Sequence, residues 1–130
     1  MKIAAANWEP PDEGNYDYTI AAPATGDGRY VNTRDQKYGH IRLVISPIEG
    51  EDNQFEWSAP TDALPYPFMK DACREGMDAA LQKYPKRLVR IRIAVVDGSY
   101  HHLDTDAMAV CAAMMMAMQD ALSGAAIIRA

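Results

Sequence analysis

The stretch Arg87–Val96 constrains the fold more than any other part of the chain. Val89, Ile91, Ile93 and Val95 alternate with Arg90, Arg92 and Ala94. Successive side chains of a strand point to opposite faces, so this period predicts a strand with one apolar face to bury and one polar face to leave open. The strand runs into Asp97-Gly98-Ser99-Tyr100-His101-His102-Leu103-Asp104. Gly98 and Ser99 break it, and Asp104 or Thr105 offers an oxygen to the free N–H groups that begin a helix. That helix is expected over Thr105–Leu122, ended by Ser123-Gly124. The junction is where a partner is expected first.

The remaining elements follow from the same periods. His40–Ile48 alternates Ile41, Leu43 and Ile45 with His40, Arg42 and Val44 and predicts a strand. Gly50-Glu51-Asp52-Asn53 is a turn, and Gln54–Ser58 is expected to hairpin back. Met69, Cys73, Met77, Ala80 and Tyr84 recur at helical spacing and predict a helix over Tyr66–Tyr84, stopped by Pro85. Ala125–Arg129 reads as a last short strand. In front, Tyr16–Thr33 reads as short extended pieces broken by Pro23 and by a turn at Gly26-Asp27-Gly28, and residues 1–15 as an N-terminal arm. The order β-β-α-β-α-β over residues 16–130 predicts an α/β (α+β) two-layer sandwich, helices on one face of the sheet. Arg42, Arg90 and Arg92 would share the open face, where they either bind phosphate or simply keep the surface wet.

Composition and motifs exclude several function classes. Formal net charge is -5, which argues against non-specific DNA binding. The N-terminal apolar run is too short for a signal peptide, and Ala107–Met118 too short to span a bilayer. The expectation is a soluble cytoplasmic protein with no membrane partner. Cys73 and Cys111 lack zinc spacing, and no nucleotide loop or nucleophile elbow is present, so neither metal nor cofactor is expected. His101 and His102 are adjacent in extended chain, point opposite ways, and do not make a metal pair. Met108, Cys111 or Ala112, Met115, Met118 and Leu122 make a core stripe for the last helix. That leaves Met114, with Val110, as a surface for a protein partner or a homodimer, unless the N-terminal arm covers it.

Taken together, Tyr38-Gly39-His40-Ile41 and the later Asp97-Gly98-Ser99-Tyr100-His101-x-x-Asp104 resemble domain IV of translation elongation factor G and its relatives. Tyr16-x-x-Thr19-Ile20 and Pro23 with Gly28-x-Tyr30 match the family's opening strands, so the resemblance covers about Tyr16 to Ala130. It implies a sandwich with a left-handed β-α-β crossover, an exception to the usual hand. It also implies a non-enzymatic module, the GTPase domain being absent, that binds RNA at or near the A site of the small ribosomal subunit. By residue match the contacts fall on Ser99, Tyr100, His101 and His102, and on Arg34, Gln36 and Lys37 in the neighbouring loop. The family's loop glycines are replaced here by Thr33-Arg34-Asp35-Gln36-Lys37.

Overall fold

The computed structural model describes residues 16–130; the arm expected over residues 1–15 lies outside them. Strands β1 (Asp17–Ile20), β2 (Ala24–Asn32), β3 (Lys37–Pro47) and β4 (Gln54–Trp57) precede helix α1 (Pro67–Lys83). Then come β5 (Arg87–Leu88), β6 (Ile91–Ser99), α2 (Ala107–Gly124) and β7 (Ile127–Arg129). A four-stranded sheet has the order β2-β3-β6-β4, and a second, three-stranded sheet the order β5-β1-β7. The mixed α+β architecture is the expected one. The separate small sheet is an addition to it.

The alternating strands do what their period requires. Ile41, Leu43 and Ile45 of β3 and Ile91, Ile93 and Val95 of β6 are all 0% exposed beneath the helices. The stretch Arg87–Val96, however, is not one strand. Arg90 adopts a left-handed backbone (φ 61), which separates β5 in the small sheet from β6 in the large one. Arg90 is therefore not on the open face with Arg42 and Arg92. Those two share that face with carboxylates: Arg42 lies 3.4 Å from Asp27 and Arg92 3.8 Å from Glu56, both pairs about half exposed.

Two other expectations are corrected. β4 does not hairpin onto β3. It pairs parallel with β6, reached through α1 as a crossover, and β6 lies between it and β3. Gly26-Asp27-Gly28 is not a turn but the middle of β2. A Cβ on Gly26 would meet the Ala117 carbonyl oxygen at 2.0 Å, and one on Gly28 the Ala113 oxygen at 2.1 Å. These glycines let α2 lie directly on the sheet.

That close approach changes the buried side of α2. The residues inside are Ala109, Val110, Ala113, Met114, Ala117, Met118, Ala121 and Leu122. Val110 is 1% and Met114 0% exposed, so neither can be presented to a partner, and the interaction surface expected there is overturned. Met108 and Met116, by contrast, are 49% and 42% exposed. By length and composition α2 is the one helix among the described residues able to cross a membrane, against the expectation from the shorter run; one side of it is packed on β2 and β3.

α1 starts at Pro67, whose fixed φ suits a first helical position. Met69, Cys73 and Met77 are buried as its spacing predicts, and burial pushes the Cys73 thiol up to about 12. The two helices run side by side in the same direction. Gly76 packs on Cys111 and Met114, and farther along Lys83 and Gln119 border one cleft. Both helix N-termini consequently face the same end of the molecule, the end that carries the β2–β3 loop and the β6–α2 loop.

Candidate nucleic-acid interface

The tip is made of two loops that sequence separates and backbone chemistry joins. In the β2–β3 loop the Asn32 amide donates to Asp35 (3.0 Å) and its oxygen accepts the Asp35 N–H (3.2 Å). This local bonding sets the turn. Gln36 then takes a left-handed backbone, φ 53, where glycine would sit without strain.

The β6–α2 loop is bound to that hairpin. Tyr38 N–H donates to the Asp104 carbonyl (3.0 Å), and the Thr105 hydroxyl donates to the Tyr38 carbonyl (2.7 Å). The same hydroxyl oxygen accepts the His101 N–H at 2.8 Å. The cap of α2 is Asp106, not Asp104 or Thr105: its carboxylate accepts the Ala109 N–H at 2.9 Å. Asp106 also holds the Lys37 ammonium. The Lys37 hydrogen bond, then that N–H, hold the Asp106 carboxyl below the usual carboxylate range, and Asp106 in turn raises Lys37.

These ties shape a shallow hollow of about 390 Å³. Gln36, Lys37, Ser99, Tyr100 and His101 line it, with Tyr38 and Asn32. Five of the seven residues expected to touch RNA are thereby brought together. The other two, Arg34 and His102, are exposed outside it. The His101 ring lies 3.5 Å from the Asp104 carboxylate and accepts the Leu103 N–H at 3.3 Å, which fixes the ring's outlook.

A bulge positions Ser99. Arg42 pairs with Asp97 but Leu43 with Val95, so Val96 is the extra residue of β6. Past it the facing alternates anew, and Ser99 emerges on the open side. There Asp27 accepts from His40 (2.8 Å), His40 Nδ1 meets the Ser99 hydroxyl (3.0 Å), and the Tyr38 hydroxyl meets the same oxygen (2.6 Å). The Asp27 carboxyl is held low, first by the His40 bond. The network staples β2, β3 and β6 just behind the tip.

Sequence reasoning missed Tyr38, Thr105 and Asp106, which hold the site together, and Tyr66, whose ring meets Tyr100 edge-on at 5.6 Å. Asp106 stands directly before the apolar run, and that position was the signal for the cap. Nothing in the sequence marks Thr105 as the joint between the loops.

Residues 15–126 match the family model for elongation factor G, domain IV. The chain is 36% identical over 118 residues to elongation factor G of Thermotoga petrophila, and 33% over 121 to that of Petrotoga mobilis. Each alignment covers 85% of this chain and 17% of the relative, so the chain spans about a sixth of the length of these relatives. Among solved structures, ttk003000868 from Thermus thermophilus superposes with a TM-score of 0.79 at 25% identity, covering 90% of this chain and 18% of that one.

Proposed function

The chain belongs to the elongation factor G domain IV family, and from that footing we propose that it is a non-enzymatic, cytoplasmic translation-factor module that binds RNA at or near the A site of the small ribosomal subunit. The matched region is the domain IV part of such factors, not the GTPase part. Family membership supports the general role in translation. The tip supports the mode of contact.

One observation carries the reading. Two loops are cross-bonded into a single rigid tip, and Gln36, Tyr100 and His101 converge there on one hollow. Loops held on a rigid frame are the usual carriers of recognition. The tip's acids are occupied: Asp35 with Asn32, Asp104 beside His101, Asp106 with Lys37. Arg34 is left outward for phosphate, while Tyr100 and His101 offer rings to an unpaired base.

Co-sedimentation with small ribosomal subunits at low and moderate salt tests this. Binding should weaken as salt rises, and His101→Ala should weaken it about tenfold, one lost contact to RNA, while leaving the melting curve in place. Undiminished binding by His101→Ala would remove the tip from the mechanism.

A further inference from the structure

The other end of the molecule holds a second feature. An open cleft of about 850 Å³ crosses the outer side of α2, between the last turn of α1 and β7. Met115, Met116, Leu122 and Ile127 form its apolar floor, and Tyr84 one wall. Met116 remains 42% exposed there. The volume is that of small-molecule sites, which are mainly apolar with a few placed polar groups. Unbranched methionine side chains can reshape around what enters.

The polar rim is of one sign. Lys83 borders the cleft, and its ammonium has no hydrogen bond or ion pair among the described residues. No carboxylate lines the cleft, although the chain has 18 acids against 13 lysines and arginines. Asp120, next to Gln119 of the rim, is engaged elsewhere: it accepts the Asp27 N–H at 2.9 Å. An apolar body with one free cation at its edge complements a molecule with a hydrocarbon tail and an anionic head.

We infer that this cleft is a binding site for an amphiphilic monoanion of the long-chain carboxylate type. The alkyl chain lies on Met115 and Met116, and the head group meets Lys83. The site is independent of the tip and of any ribosomal role.

Titration calorimetry of the whole chain with dodecanoate and with dodecanol, both below micelle-forming concentrations, tests it. Dodecanoate should bind one per chain, about tenfold more tightly than dodecanol, the difference expected of one charge-assisted contact. Lys83→Ala should remove that advantage and leave dodecanol unchanged. Met116→Glu should abolish binding of both while melting like the parent. Equal binding of acid and alcohol, indifference to Lys83→Ala, or persistence in Met116→Glu would overturn the site and leave a plain apolar seat, such as a polypeptide segment fills. Absence of any binding would overturn it as well.

Discussion

Gly28 shows how much one missing carbon can decide. Its would-be Cβ meets backbone, the Ala113 oxygen at 2.1 Å and the Ala117 nitrogen at 2.4 Å, so no side chain can give way. Gly28→Ala should cost at least about 3 kcal/mol, the upper end for overpacking; Gly50→Ala, with nothing within 4 Å, is the matched control in urea denaturation. Equal midpoints for the two would refute the close contact. The sequence presents Gly26-x-Gly28 as a break because glycine usually is one; only the alanines of α2, distant in the chain, give these glycines their purpose. Asp106 is the second decisive residue. Its folded pKa is depressed, so its contribution is complete above the ordinary carboxyl range and is lost as pH falls through the lowered value. Asp106→Ala should lower stability by about 1 kcal/mol at neutral pH, the usual worth of an N-cap. In thermal melts the gap to the parent should narrow as pH falls below the ordinary carboxyl range and through the lowered value.

Between residues and the whole stand the elements, and the break between β5 and β6 is their most informative joint. Arg90 turns the chain out of one sheet and into the other, and the Leu88 carbonyl and the Ile91 N–H on either side of it bond to a side chain. That side chain is Asn53: its amide donates to the Leu88 carbonyl (2.8 Å) and its oxygen accepts the Ile91 N–H (3.1 Å). Ile91 is fully buried, so Asn53→Ala leaves a donor unsatisfied and should cost about 2 kcal/mol in chemical denaturation. A loss within error of zero would mean that water serves as well. The alternation of Val89 to Val95 conceals this joint: the side chain buried before it is Leu88, whereas Val89, in phase with Ile91 by sequence, is only half-buried. The same limit applies to α2. Its strand-facing side is drawn in alanine and its outer side includes methionine, so hydrophobicity cannot tell them apart, whereas in α1 charged residues mark the outer side and the stripe was legible.

At the scale of the whole molecule, the sandwich, its two helices and the strands β3, β4 and β7 were legible because they rest on strong periods and on the Asp97–His101 motif, whereas the unbroken β2 and the β5–β6 break were not. The tip was legible as two loops. The resemblance made them neighbours, but what joins them was not legible, since their union depends on Thr105, Tyr38 and the Lys37–Asp106 pair, which touch only after folding. The shared direction of α1 and α2 has an electrical consequence. Antiparallel helices cancel their dipoles; these two add. Each N-terminal end is equivalent to about half a positive charge. Asp106 answers the end of α2, but at α1 no side chain caps Tyr66 and no acid occupies the first turn. A chain whose formal net charge is -5 thus has a helix layer polarised toward one end. In the field of a large polyanion that layer experiences a torque toward the loops-foremost orientation, to which the charged side chains add their own.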